Sequence, residues 1–390
     1  MKDNIKPVIA IAAVAISIVI FLAVLNAQFS AVQKFIFGAL SLAGCGTALS
    51  RIYKLENWGG MFLLRSQKGL KFLDQMAKRH PKLWQYFAEL GMIVGYGSLA
   101  YFIMGGKSTG WKSKAARFVP GTILLVLVSG LLPLAMALLL SMIRGGAEFS
   151  TASSKFQSAT SGMDLFRYLS IALLVFGGIT VLTTLSIVTY AGIVAAAIIS
   201  ALLGNPVPIT TTPPGGMPLL PGINLDLVQG VAALVVVLAV HEGMHGILAR
   251  LYKLPLKSAG VVIFGFLPFG AFVDIDEKKL FKEKKEKQNA VLVAGTAANF
   301  ATAIFFLLLL SLFIAIMGNS PSDLARQVGR FLALTFALNI IVASVNLVPL
   351  PMFDGYHIMR NLVPNKLAQK AIVYLVAISF LLTLFPWLLR

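Results

Sequence analysis

Two histidines and a glutamate stand inside a strongly apolar stretch, VVVLAVHEGMHGILARLYK, residues 235–253. On an α-helix, residues four apart lie on the same face, so His241 and His245 project their imidazoles into one volume. Glu242 follows about 100° round the helix from His241. Two imidazole nitrogens can bind a metal ion, and the carboxylate can then take a proton from a water molecule at that ion.

The spacing His-Glu-x-x-His is the arrangement found in zinc metalloproteases. The competing interpretation is a polar cluster whose members only satisfy one another. A chain with four histidines rarely produces this spacing by chance. An ionisable side chain at mid-membrane also costs about 2.5–3.5 kcal/mol on insertion scales, and metal binding can compensate for that cost. The pattern therefore favours a zinc site.

A catalytic zinc keeps three protein ligands and one open position, so a third ligand must come from elsewhere. The remaining histidines are His80, in a basic loop, and His357. Among the carboxylates, Asp354 is better placed as a ligand, because it directly follows the candidate span at residues 330–350. His357 is left with three interpretations: a rival ligand, a partner of a ligand, or an interfacial histidine.

The segment NLVPLPMFDGYHIMR, residues 346–360, explains how Asp354 could reach the site. Pro349 and Pro351 must end the preceding helix, and Gly355 frees the backbone after the aspartate. Broken backbone at membrane depth is tolerated only where it is buried in protein or lines a wet cavity. We therefore expect a broken helix that carries Asp354 into the site. An ordinary helix end at the membrane interface is the alternative.

The composition places the protein in a membrane. Hydrophobic residues make up 58% and charged residues 12% of the 390 positions, and apolar runs of spanning length recur along the chain. We predict an all-α polytopic membrane protein, a helical bundle of about eight to ten transmembrane helices. The run at 167–203 is either one long helix or a tight hairpin. The candidate spans are residues 8–27, 34–50, 84–104, 119–143, 167–203, 228–250, 290–317, 330–350 and 371–388.

The net charge of +18 reflects membrane topology rather than nucleic-acid binding, so we expect the lipid bilayer as a partner and no nucleic acid. Residues 51–82 read as a basic cytoplasmic loop with an amphipathic helix against the lipid headgroups. The lysine-rich residues 277–287 are also cytoplasmic, and the uncharged, proline-rich residues 204–225 suit the opposite face. The histidines then fall in the cytoplasmic half of their helix. Residues 107–117 are basic too, which conflicts with this topology if the span at 84–104 crosses once.

HEGMH in one span and NLVPLPMFDG in a later one resemble the site-2 protease family of intramembrane zinc metalloproteases. That family's paired motifs are His-Glu-x-x-His and Asn-x-x-Pro-x-Pro-x-x-Asp-Gly. The resemblance covers about residues 205–362 and looks most like prokaryotic or archaeal members. It implies that His241, His245 and Asp354 bind one Zn²⁺ per chain. It also implies that Glu242 is the general base and that Asn346 donates to the substrate carbonyl or its oxyanion.

Three further segments extend or depart from the resemblance. AGTAANF, residues 294–300, resembles the start of the family's next core span, where Gly295, Ala298 and Asn299 would allow close helix approach. Packing alone is the alternative for these small residues. Phe353 stands where the family often has leucine, a change that should not disturb ligation. The short 277–287 loop leaves no room for a regulatory PDZ-like domain.

The segment after the catalytic helix, SAGVVIFGFLPFGAFVDID, is apolar, rich in β-formers and too broken for a spanning helix. It resembles the family's short membrane-embedded β-hairpin, whose edge can take an extended substrate as an added strand. A loop packed against neighbouring helices is the alternative.

These observations predict three regions: an N-terminal transmembrane region at 1–204, a site-2-protease-like catalytic core at 205–362, and a C-terminal transmembrane helix at 363–390. The expected function is hydrolysis of peptide bonds within or near transmembrane segments, as in regulated intramembrane proteolysis. Expected partners are a transmembrane substrate protein or a remnant signal peptide, met in the cell membrane. The rival function is a metal-ion transporter or channel that uses the buried His/Glu/Asp cluster. An inactive scaffold is a weaker rival.

Overall fold

A computed structural model describes residues 5–104, 110–143, 164–204, 215–318 and 322–389. Most of these residues lie in α-helices, with one small antiparallel sheet beside them, so the predicted fold class is confirmed. The helices are α1 Lys6–Asn26, α2 Ala31–Tyr53, α3 Gln67–Arg79, α4 Pro81–Tyr96, α5 Ala100–Met104, α6 Trp111–Met142, α7 Asp164–Leu202, α8 Leu227–Leu251, α9 Glu277–Leu280, α10 Lys285–Met317, α11 Asp323–Asn346, α12 Asp354–Leu362 and α13 Lys366–Leu388. The strands are β1 Asn57–Trp58, β2 Met61–Arg65, β3 Leu256–Phe264 and β4 Leu267–Ile275.

Within the described residues, eight helices are long and apolar enough to cross a bilayer: α1, α2, α6, α7 from Leu174 onward, α8, α10, α11 and α13. This number lies at the lower end of the predicted range. The protein is therefore a multi-pass membrane protein. The uncharged loop predicted at 204–225 is described only from residue 215 onward, because residues 205–214 lie outside the described ranges.

The span predicted at residues 84–104 is wrong, because the chain breaks in its middle. The helix α4 ends at Tyr96, and α5 begins at Ala100. Between them, Gly97 has φ +93°, a conformation that favours glycine. A Cβ added to Gly97 would lie only 2.3 Å from the carbonyl oxygen of Val175 in α7. The sixteen residues of α4 rise about 24 Å, less than the hydrocarbon thickness of about 30 Å.

Contacts between α4, α5 and α6 show which way this segment runs. Arg117 of α6 pairs with Glu89 of α4, and the Thr122 hydroxyl further along α6 lies 2.7 Å from that of Ser98, two residues beyond the end of α4. The helices α4 and α6 are therefore parallel and begin at the same face. Tyr101 of α5 bonds back to Glu89 at 3.4 Å. The pair α4–α5 is thus a re-entrant hairpin that returns the chain to the face where it entered.

This hairpin removes the conflict between the two basic stretches. If α4 does not cross, residues 51–82 and the described part of 107–117 lie on one side, as the distribution of positive charge requires. Residues 107–109 themselves lie outside the described ranges.

The long helix α7 is interrupted at Gly178, whose φ of +59° and ψ of −155° are not helical. The run at 167–203 is therefore two helical segments that meet at Gly178, so one unbroken helix is excluded. A Cβ on Gly178 would lie 2.5 Å from the backbone nitrogen of Gly97, so the break in α7 faces the turn of the re-entrant hairpin. The Leu99 N–H donates to the Val175 carbonyl at 3.3 Å across the same junction.

The sheet has the strand order β1-β2-β3-β4 and is antiparallel throughout. The predicted hairpin is confirmed as β3 and β4, which turn at Gly265 with φ +63°. The strands β1 and β2 extend it from the basic N-terminal loop, where no strand is predicted. The amphipathic helix predicted in that loop is α3, which buries Leu73 and Ala77.

The core is the packing of α8, α10 and α11 against one another, with α4 lying on α10 and α6 on α11. The N-terminal helices α4 and α6 therefore touch the predicted catalytic core directly. The division at residues 204 and 362 stays a prediction.

A cysteine-labelling experiment tests the re-entrant hairpin. In a Cys45→Ser background, Lys82→Cys and Lys112→Cys should react with a membrane-impermeant maleimide from the same side of sealed vesicles. Leu324→Cys lies beyond the far end of the spanning helix α10, so it should react from the other side. Labelling of Lys112→Cys only from the side of Leu324→Cys would show that α4–α5 crosses.

Candidate metal centre

The helix α8 places both motif histidines in the protein interior. His241 and His245 are 5% and 7% exposed, and their ring centroids are 4.8 Å apart. The four-residue spacing produces this pairing because it is close to one helical turn.

The chain between α11 and α12 delivers the third residue. The helix α11 ends at Asn346, in keeping with the prolines at 349 and 351, and Asp354 stands in the first turn of α12. The turn folds so closely that a Cβ on Gly355 would lie 2.0 Å from the Leu347 carbonyl oxygen. Only glycine fits there, and the predicted broken helix is confirmed.

Three ligand atoms converge on one point. The Nε2 atoms of His241 and His245 are 3.1 Å apart, and Asp354 Oδ2 lies 3.4 Å from the first and 3.2 Å from the second. Ligands at tetrahedral corners about 2.0 Å from a zinc ion are separated by about 3.3 Å. The triangle therefore fits zinc. It is the one convergent His/Cys/Asp/Glu group that the described residues contain.

The partners of the imidazoles leave both Nε2 atoms available to a metal. His245 Nδ1 lies 2.7 Å from the Val291 carbonyl oxygen, an acceptor that keeps the proton on Nδ1. His241 Nδ1 lies 3.3 Å from the Asn299 side-chain amide, whose Oδ1 has no partner among the described residues. A half-turn of that amide makes Oδ1 the acceptor for His241 Nδ1–H. Asn299 is thus a partner of a ligand, beyond its predicted packing role.

The two imidazoles favour the charged form of the acid in this triangle. Burial alone would raise the pKa of Asp354, but the two imidazoles lower it below its ordinary value. Asn346 donates from Nδ2 to Asp354 Oδ2, and the same nitrogen lies 2.9 Å from His241 Nε2. The Asn346 amide therefore stands beside two of the three ligand atoms.

The close approach predicted at Gly295 is confirmed. A Cβ on Gly295 would lie 2.5 Å from His245 Nε2 and 2.7 Å from His241 Nε2, so the backbone of α10 touches both rings. Of the two glycines within the motif region, Gly246 packs against Leu73 of α3, whereas Gly243 has open space around it.

Glu242 lines a cleft beside the ligand triangle. Its Oε2 accepts a hydrogen bond from the Val273 N–H of β4 at 3.2 Å. The cleft has a volume of about 210 Å³, and Glu242, His245, Asp354 and His357 all line it. A candidate base, two metal ligands and space for a substrate thus occur together.

Neither remaining histidine belongs to the ligand group. His357 lines the cleft with its ring stacked on Phe281 at a centroid distance of 4.9 Å, and burial lowers its pKa. His80 is exposed at the junction of α3 and α4. The interpretation of His357 as a rival ligand is therefore not supported.

Residues 229–385 match the family model described as Peptidase family M50. This part of the chain is similar to the peptidases of family M50. The site-2 proteases are members of that family, so the resemblance stated from the two motifs is confirmed. The matched range contains Glu242, Asn346 and all three residues of the triangle, and zinc is the metal that a metalloprotease of this family implies.

Three relatives support the assignment over part of their length. The chain is 27% identical to the proposed zinc metalloprotease YwhC of Bacillus subtilis over 156 residues, 36% of this chain and 71% of that protein. It is 29% identical to the proposed zinc metalloprotease MJ0611 of Methanocaldococcus jannaschii over 130 residues, which are 31% of this chain and 63% of that protein. The uncharacterized protein MJ0971 of the same archaeon is 35% identical over 86 residues.

The match to MJ0971 spans 21% of this chain and 23% of that protein. The chain therefore covers less than two thirds of two of these three relatives. No solved structure matches the chain.

A glycine substitution tests the metal centre. Gly295→Ala should weaken zinc binding at least about tenfold, because the new methyl group must displace both imidazoles from their ligand geometry. The matched control is Gly243→Ala on the motif itself, where a Cβ meets nothing within 4 Å. Zinc content after dialysis against graded chelator measures both variants. Equal zinc retention by the two would contradict the close approach.

Proposed function

We propose that this protein is an intramembrane zinc metalloendopeptidase that binds one zinc ion per chain. The observation that carries the proposal is the convergence of His241, His245 and Asp354 beside Glu242 in a single cleft. A structural zinc site is closed by four protein ligands, whereas a hydrolytic site keeps a position open. Three ligands and an adjacent carboxylate suit hydrolysis.

The metal and the chain would share the chemistry. Zinc, when bound by the triangle, lowers the pKa of water to about 7 and polarises the carbonyl of the bond to be cut. Glu242 removes the proton from the attacking water and then passes it to the departing amine. The hydrogen bond from Val273 N–H holds the Glu242 carboxylate at the wall of the cleft. Its orientation is therefore fixed before a substrate arrives.

Asn346 would stabilise the charge that develops on the substrate. Its amide nitrogen lies beside His241 Nε2 and Asp354 Oδ2, which is where the carbonyl oxygen of a substrate must come. A donor fixed at that place strengthens its hydrogen bond as the oxygen becomes negative. The rigid end of α11 and the following proline turn keep the amide there.

The strand β4 is the part of the site that would take the substrate. Among the described residues β4 has a strand partner on one side only, and its Val273 N–H points away from β3 to Glu242. A peptide bond in a transmembrane helix is already hydrogen-bonded and must be unwound before attack. Addition of the unwound segment to the β4 edge would satisfy its backbone and lay it along Glu242.

The expected substrates and location follow from the same features. We propose that the protein cleaves a transmembrane protein or a remnant signal peptide in the cell membrane, with the site toward the cytoplasm. The support is that the histidines lie in the C-terminal half of α8, the end nearest in sequence to the lysine-rich residues 277–287. The transporter or channel is not favoured, because the matched family is a peptidase family and two relatives are proposed zinc metalloproteases.

Replacement of the base separates metal binding from cleavage. Glu242→Gln should keep its zinc and lose at least about a hundredfold in the rate of cleavage of a model transmembrane peptide, since proton transfer alone contributes that much. Glu286→Gln, at the exposed start of α10, is the control and should cleave normally. A zinc-loaded Glu242→Gln variant that cleaves at the control rate would refute the assignment.

A proline substitution tests strand addition. Backbone N–H groups two residues apart in a strand point the same way, so the Ala271 N–H faces the free edge with that of Val273. Ala271→Pro removes this donor without removing a bond to β3, a position where proline is tolerated. It should lower kcat/KM and keep the zinc, whereas Ala271→Ser should leave both kcat/KM and the zinc content unchanged. Full activity of the proline variant would exclude this edge as the substrate strand.

A further inference from the structure

Tyr96, the last residue of the re-entrant helix α4, carries an unexplained polar group. Its side chain is 6% exposed, and its hydroxyl has no hydrogen-bond partner among the described residues. A buried hydroxyl without a partner destabilises the folded state, and such a group in a native protein usually meets a water molecule or a ligand. The hydroxyl of Thr180 on α7 lies next to it, but the two hydroxyls do not meet in hydrogen-bond geometry.

The packing of α4 places Tyr96 behind the ligand turn. A Cβ on its neighbour Gly95 would lie 3.3 Å from the Leu347 side chain, and the Leu347 carbonyl lies against Gly355. The residue before Gly355 is the ligand Asp354, and Tyr96 interacts electrostatically with its carboxylate. Tyr96 therefore approaches Asp354 from the N-terminal region, on the side formed by α4 and α7.

Two backbone contacts fix this position. Gly97, directly after Tyr96, packs against the Val175 carbonyl, and Gly178 packs against Gly97 and Gly95, with no room for a Cβ at either glycine. Both glycines also have positive φ, so other residues are strained there. The tyrosine is thus held by a junction of two broken helices, which leaves it little freedom to find another partner.

We propose that Tyr96 is a positioning residue of the metal centre, whose hydroxyl holds one bridging water molecule against the Asp354 carboxylate together with Thr180. The inference rests on the proposed function, since it gives the aspartate a metal to bind. Two hydroxyls and a carboxylate supply the number of polar partners that a buried water requires. The water donates to the carboxylate and accepts from Tyr96.

The arrangement has a physical purpose. A carboxylate ligand with one oxygen on the metal can rotate unless its other contacts fix it, and partners of this kind tune metal affinity. Asn346 fixes Oδ2 from the side of the cleft. A water held by Tyr96 would fix the carboxylate from behind. Residues outside the matched range 229–385 would then be part of the metal centre.

The test compares two tyrosines in the full-length, lipid-reconstituted protein. Tyr96→Phe keeps the ring and removes the hydroxyl, and we expect a 10- to 100-fold weaker affinity for zinc, measured by competition with a chromogenic chelator. Tyr101→Phe removes a buried hydroxyl that is bonded to Glu89 in the same hairpin. It should bind zinc like the unchanged chain. Thermal unfolding of the zinc-free protein, measured for both variants, shows whether either variant has lost its fold.

Each outcome decides the matter. Unchanged zinc affinity in Tyr96→Phe, or an equal loss in Tyr101→Phe, would overturn the proposal, since a packing role alone predicts one or the other. If Tyr96→Phe does not fold, Thr180→Val removes the second partner of the water and should weaken zinc binding in the same direction; no loss there overturns it too. If the unchanged chain binds no zinc, the proposed function is overturned as well. If the unchanged chain binds zinc and cleaves its substrate, and Tyr96→Phe alters neither property, only this inference is overturned.

Discussion

The contact of the Gly295 backbone with two imidazoles is the constraint on which the rest of the site depends. Because α10 carries no side chain there, its axis can approach α8 closely enough to set both Nε2 atoms toward one point. Val291 and Asn299, on the same helix, then take the two Nδ1 atoms. One helix therefore fixes the position and the tautomer of both rings, and a single carboxylate completes the triangle.

The carboxylate arrives on the proline turn between α11 and α12, and a second set of close backbone contacts holds that turn. Gly355 lies on the Leu347 carbonyl, Leu347 lies on Gly95, and Gly97 meets Gly178. The ligand turn is thus braced from the N-terminal region through a series of glycine contacts, and Gly97, Gly178 and Gly355 leave no room for a Cβ. This explains why helices outside the matched range 229–385 pack directly on α10 and α11. A helix break is useful here because it exposes backbone that another backbone can touch.

The sequence reveals those parts of the site that depend on local geometry. The pairing of His241 with His245 follows from helical period, and the end of α11 follows from proline chemistry, so both could be predicted. The re-entrant turn at Gly97 could not be predicted, because it packs against the Val175 carbonyl, 78 residues away in sequence.

The strands β1 and β2 did leave a signal in the sequence. Gly59 and Gly60, between Asn57-Trp58 and Met61, form a two-residue hairpin turn with φ +62° and +90°. Val273 and Val291 act through backbone atoms, so their residue types give no indication of these roles.

The central claim is that two imidazoles and one carboxylate from separate segments bind a single zinc ion. X-ray absorption at the zinc edge, on the full-length protein in lipid, measures the number and kind of donors directly. We predict one zinc per chain with two imidazole nitrogens and oxygen donors at about 2.0–2.2 Å, and loss of an oxygen donor or of the metal in Asp354→Ala. A spectrum without two imidazoles, or one that Asp354→Ala leaves unchanged, would contradict the account.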